Sequence, residues 1–265
     1  MTEKSAASSV FATYWLYRLD SAFLRLPVSE QRQGRSEFLA ALSARDRSVT
    51  LRGVYSLVGL RADADLMLWV YGPDLDALQR LAVALRHSGL GRYLTQAETY
   101  VGVTAAARYD PEHQAAFMLG AEPKAFVSVY PFVKTTEWYL LPFERRSELM
   151  AEHGLVGRKY AVPRAKLLAQ SNSPEPATRG RTATAVKAEP EAVVAEDGGG
   201  VLSNTVDAFG LGDYEFILAN ESDDPAELAR MMMALRATEV RRYTRLDVPI
   251  FLGRLREPAE ALDDL

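Results

Sequence analysis

The chain has 265 residues, 48% of them hydrophobic and 25% charged, with a net charge of -4 and no cysteine. This is the composition of a globular protein able to build a sizeable core, and it carries no basic field of the kind that nucleic-acid binding relies on. The absence of cysteine excludes disulfides, thiolate catalysis, iron–sulfur clusters, cysteine zinc sites and thiolate-ligated haem, so any metal chemistry falls to His, carboxylates or Tyr. No apolar run reaches the roughly 18 residues of a membrane span, and the polar stretch from Met1 to Ser9 lacks a secretory pattern, so a cytoplasmic protein is expected.

In chain order, Val10 to Tyr17 alternates with aromatic content and reads as a strand. After Pro27, Ser29 is placed to cap a helix with Phe38, Leu39 and Leu42 on one face, and Thr50 to Val58 and Leu66 to Tyr71 read as two further strands. A helix from Pro73 to His87 carries Leu75, Leu78, Leu81 and Leu85 on one stripe with Gly89 as its C-cap, and a strand near Glu98 to Val103 follows.

The same order of strand, helix, two strands, helix and strand then recurs. Strand Ala125 to Tyr130 leads to a helix from Pro142 to Glu152 that ends in His153-Gly154. Strands Val206 to Ala208 and Tyr214 to Asn220 precede a helix Pro225 to Thr238, capped by Asp224 and striped by Leu228, Met231, Met232 and Leu235. Pro249 to Gly253 is the last strand. The implied organisation is a first domain at 1–105, a connector at 106–123, and a second domain at 124–265. Residues 166–200, rich in Ala, Glu, Pro, Ser, Thr and Gly, read as a flexible insert able to serve as a loop or a lid.

The chain holds three histidines. His153 follows Leu149 and Met150 on the apolar face of its helix, where it can be an axial ligand for a redox porphyrin or a structural histidine on the helix dipole. Tyr130 ends an alternating face of Phe126 and Ser128, with Pro131 expected to break the ladder after it; its phenol either faces a cavity or packs in the core. Lys134 can pair a carboxylate or simply be solvated, and Trp138 can relay electrons or pack. His113, in the turn-like Tyr109-Asp110-Pro111-Glu112-His113, can be a general base or an exposed loop residue. His87 has no such setting. No paired-histidine zinc motif and no phosphate-binding glycine loop occurs.

Taken together, Tyr130-Pro131-Phe132-Val133-Lys134, Trp138-Tyr139-Leu140-Leu141-Pro142, Glu152-His153-Gly154, Gly157-Arg158, Gly210-Leu211-Gly212-Asp213-Tyr214-Glu215 and Arg236-Ala237-Thr238-Glu239 closely resemble the coproheme decarboxylases of the chlorite dismutase-like superfamily, most of all the actinobacterial type. The likeness covers nearly the whole chain outside the insert. It implies an α+β fold of two ferredoxin-like modules of the dimeric α+β barrel type, with antiparallel sheets and a haem site in the second module. It also implies a homopentamer, with transient contact to the ferrochelatase that supplies coproheme.

The reaction implied is the hydrogen peroxide-dependent conversion of two propionates of iron coproporphyrin III to vinyls, giving haem b, with coproheme as both substrate and redox centre. By this resemblance His153 is the proximal iron ligand, Tyr130 the radical tyrosine, His113 the distal base, Lys134 a propionate partner and Trp138 a second oxidisable site. Two departures stand out: Ser203 falls where firmicute enzymes carry a distal glutamine, and the distal arginine of true chlorite dismutases has no counterpart, although Arg158 and Arg164 lie near the insert. Alternatives of other classes are a non-catalytic haem-binding or delivery protein, and a peroxidase or chlorite-degrading enzyme on the same fold.

Overall fold

The computed structural model describes residues 9–104, 114–171 and 199–265. The first half runs β1 (Phe11–Leu19), α1 (Val28–Ser43), β2 (Thr50–Ser56), β3 (Leu66–Gly72), α2 (Leu75–His87) and β4 (Leu94–Val103). The second runs β5 (Phe126–Lys134), α3 (Thr136–Leu140), α4 (Phe143–Arg158), α5 (Arg164–Ser171), β6 (Leu202–Asp207), β7 (Phe216–Ser222), α6 (Pro225–Arg236), β8 (Thr244–Leu246), β9 (Phe251–Arg256) and α7 (Pro258–Asp263).

Each half is an antiparallel half-sheet, ordered β4-β1-β3-β2 in the first and β9-β5-β7-β6 in the second. The halves meet edge to edge, second strand of one against last strand of the other. β2 pairs β9 at Val54↔Arg256, Tyr55↔Leu255 and Ser56↔Arg254, and β4 pairs β6 at Val103↔Asp207. The eight strands thereby close into a barrel, and closure removes the exposed edges that each half would present alone. β8 is an appendage on the end of β5. The mixed α+β, ferredoxin-like architecture expected from the sequence is the one observed.

Closure buries both faces of the central strands, which is why β1 is apolar almost continuously rather than alternately. Its Ala12, Tyr14 and Leu16 fill the barrel together with Trp69, Val129 and Ile217, while Trp15 and Tyr17 point outward to the helices. α1 and α2 cover that outer face through Phe38, Leu42, Leu78, Leu81 and Leu85, and α7 returns from the far end of the chain to join them through Ala261 and Leu262. On the corresponding outer face of the second half-sheet α6 packs against β5 and β7, and α4 packs against α6; this is the layer that positions the candidate site.

Several sequence expectations are corrected. Pro27, not Ser29, stands at the start of α1, and no side chain caps it. Asp74 caps α2 by accepting from the N–H of Asp76 at 2.9 Å, and the helix leaves through an extended Ser88 rather than a glycine cap. β5 continues through Pro131, which pairs with Ile217, to Lys134. The proline is tolerated because β9 stops alongside Val129 and β8 begins only at Val133, so among the described residues one side of β5 has no strand partner there. α4 runs past His153 and Gly154 to Arg158, so Gly154 is a helical residue and not a stop. Of the expected insert at 166–200, residues 166–171 belong to α5, and 172–198, like His113, lie outside the described residues.

Candidate functional site

Alternation along β5 sends Val127 and Val129 into the barrel and leaves Phe126, Ser128 and Tyr130 on the outer face. Register aligns this face with its neighbours: Ser128 lies opposite Asn220 on β7, and Asn220 opposite Ser203 on β6. A short polar strip therefore crosses three strands beside Tyr130. The Tyr130 side chain is 3% exposed, and its hydroxyl oxygen accepts from Asn220 Nδ2 at 3.4 Å. Burial pushes the phenol well above its ordinary pKa, with Asp247 adding to the rise and Asn220 and Arg236 opposing it.

Those charged neighbours form a compact group. Asp247 is nearly buried and accepts from Arg236 at 2.7 and 3.1 Å and from Arg241 at 2.6 Å. Two guanidinium groups around one carboxylate leave the group with one positive charge in excess, suited to receiving an acidic substituent.

The second cluster lies where β5 passes into α3 and α4. His153 is partly buried, and its Nδ1 is sealed from solvent with no hydrogen-bond partner among the described residues. Burial and then the field of Lys134 lower its pKa to about 4, so the imidazole is neutral at physiological pH, the form that binds a metal. The Lys134 ammonium rests 4.3 Å from the centroid of the Trp138 ring and 5.1 Å from that of Phe132, and burial lowers its pKa to about 8 against the pull of Glu215. Glu215 ties this corner together, accepting at Oε2 from the Lys134 N–H at 2.7 Å and from the Tyr139 hydroxyl at 2.6 Å. Trp138 is buried with Leu149 of α4 and Val240, so it also fixes the helix that carries His153.

Of the residues singled out from the sequence, Lys134, Trp138 and His153 come together where β5 passes into α3 and α4, and Tyr130 lies further back on the outer face of β5 with Asn220. Asn220, Glu215, Asp247 and Arg241 were missed. The runs around Glu215 and Arg236 were visible as motifs, but Asn220 and Asp247 join the site only through strand register and helix packing. Among the described residues no group of three or more His, Asp or Glu is gathered as a metal cage.

The sequence matches the family described as chlorite dismutase over residues 31–170 and 192–256. It is 36% identical over 209 residues to the coproheme decarboxylase of Mycolicibacterium smegmatis, covering 78% of this chain and 74% of that one. It is 31% identical over 171 residues to the coproheme decarboxylase of Staphylococcus carnosus, covering 57% of this chain and 68% of that one. In fold it is similar to the chlorite dismutase of Candidatus Nitrospira defluvii in complex with imidazole, with a TM-score of 0.73, 22% identity, and coverage of 96% and 94%. A mutant of that enzyme in complex with cyanide aligns with a TM-score of 0.74, 21% identity, and coverage of 96% and 93%.

Proposed function

The chain belongs to the chlorite dismutase family, and from that premise we propose that it is a coproheme decarboxylase, converting two propionates of iron coproporphyrin III to the vinyls of haem b at the expense of hydrogen peroxide. The observation that carries the proposal is a sealed phenol at Tyr130 on β5 together with a neutral imidazole at His153 on α4, its Nδ1 without a hydrogen-bond partner among the described residues.

The residues fit an iron porphyrin. His153 offers one neutral nitrogen donor, and Arg236, Arg241 and Lys134 offer cations for propionates. When bound, the iron porphyrin supplies the redox centre at which peroxide is reduced. Tyr130, having given up an electron and its proton, takes a hydrogen from the β-carbon of a propionate; a second electron leaves, carbon dioxide departs, and a vinyl remains. Each propionate thus yields two electrons, which match one peroxide reduced to two waters. Burial of Tyr130 holds the phenol in one place, and placement to within about an ångström governs such a step. His113 is assigned by the resemblance to take the proton of peroxide as a general base. The proposal extends to a homopentamer in the cytoplasm that receives coproheme by transient contact with a ferrochelatase.

The test is to add iron coproporphyrin III to the protein, titrate with hydrogen peroxide, and follow the porphyrin by mass spectrometry. Stepwise loss of two carboxyl groups is expected; a porphyrin that binds but stays intact overturns the proposal. Tyr130→Phe should bind coproheme as tightly as the parent and lose decarboxylation by at least about 100-fold.

A further inference from the structure

On β7, Ile217 and Ala219 point into the barrel, and so does Glu221. The Glu221 carboxylate is anchored there by Arg52, by Asn204 Nδ2 at 3.1 Å and by the N–H of Lys124 at 2.9 Å. With Glu221 pinned inside, the period of two sets Asn220 on the outer face in one register. Asn220 is 5% exposed, and its Nδ2 donates to the Tyr130 hydroxyl. A carboxamide is costly to bury unless its hydrogen-bonding capacity is used, and here it is used on the one phenol that the proposed reaction needs.

We propose that Asn220 is the positioning residue of Tyr130: its amide holds the hydroxyl oxygen from the β7 side, which turns the O–H hydrogen away from β7 and supports negative charge on the oxygen. The catalytic meaning of this contact rests on the decarboxylase reading, whereas the contact itself needs no porphyrin. The separation of 3.4 Å is at the long end for a hydrogen bond. The groups bearing on the same oxygen are Asp247, which opposes ionisation, and Arg236, which like Asn220 favours it.

The experiment replaces Tyr130 with a fluorinated tyrosine whose phenol ionises within the stable pH range and follows its fluorine resonance in the full-length, porphyrin-free protein. Asn220→Leu should raise the ionisation midpoint by about one pH unit, the worth of one hydrogen bond to a charged oxygen. Asn220→Asp should raise it further, because a carboxylate repels the phenolate. If leucine prevents folding, Asn220→Ser breaks the contact by its shorter reach and should give the same upward shift. An unmoved midpoint in the folded variants overturns the proposal.

With natural Tyr130 and coproheme bound, Asn220→Leu should leave porphyrin affinity unchanged and slow decarboxylation about tenfold. A slowed reaction with an unmoved midpoint means that Asn220 acts by packing alone, and the proposal falls. A shifted midpoint in a protein whose parent never decarboxylates coproheme leaves the positioning intact and removes the enzyme reading instead.

Discussion

At Tyr130 and His153 burial acts on groups of opposite charge type, and both are held neutral as a result: the phenol is pushed up and the imidazole is pushed down to about 4. For His153 the consequence for stability has a definite sign. Between about pH 6.5 and pH 4 the unfolded chain binds a proton that the folded chain refuses, so stability falls as pH falls through that window. Each tenfold difference in proton affinity between the two states is worth about 1.4 kcal/mol, which puts up to about 3 kcal/mol at stake. Urea midpoints of the porphyrin-free protein should therefore drop between pH 7 and pH 4, and His153→Gln should flatten that dependence. Tyr130, Lys134, Trp138 and His153 were legible as candidates because their residue types and order form a motif. Asn220 was not legible, because nothing local to it announces that β7 will lay it against a phenol 90 positions earlier.

Two elements run past the ends read for them in the sequence. Pro131 stays inside β5 because the missing N–H falls where, among the described residues, β5 has a partner on one side only, and α4 passes through Gly154 because the turn beyond it remains helical with no left-handed residue. A third element is set by a seam. On β4 a Cβ added at Gly102 would stand 2.4 Å from Val206 Cγ2 and 3.1 Å from the Asp207 carbonyl oxygen, at the β4–β6 junction. Gly102→Val should force β6 away, at a cost of about 1–3 kcal/mol for overpacking. The expected signature in hydrogen exchange is faster exchange of the β6 amides than of those in β3; equal protection in both would show that the seam adapts.

For the whole molecule, the decisive link is the ion pair between Arg52 of the first half and Glu221 of the second, buried inside the barrel at 3.0 Å. Arg52 also lies 5.5 Å from the centroid of the Trp69 ring, so one guanidinium joins the packed interior and both halves. Glu221→Ala leaves that cation buried and unpaired and should cost about 3–5 kcal/mol, whereas the double change Arg52→Met with Glu221→Leu should cost much less. Because the interior draws on strands of both halves, denaturant unfolding of the parent should be one transition by circular dichroism and by tryptophan fluorescence alike. Two separated transitions would show that the halves are stable alone.

The amino-acid order by itself determined the repeated strand and helix succession, the α+β class, the family likeness and the motif residues of the site, because periodicity, helix-start signals such as Asp224 and short motifs are local properties of a chain. Only the tertiary structure decided that the two halves share a closed barrel, that Glu221 is turned inward and Asn220 outward against Tyr130, and that Asp247 gathers Arg236 and Arg241 nearby. Those facts depend on strand register and edge pairing, and register is settled by which buried faces fit across segments far apart in the chain.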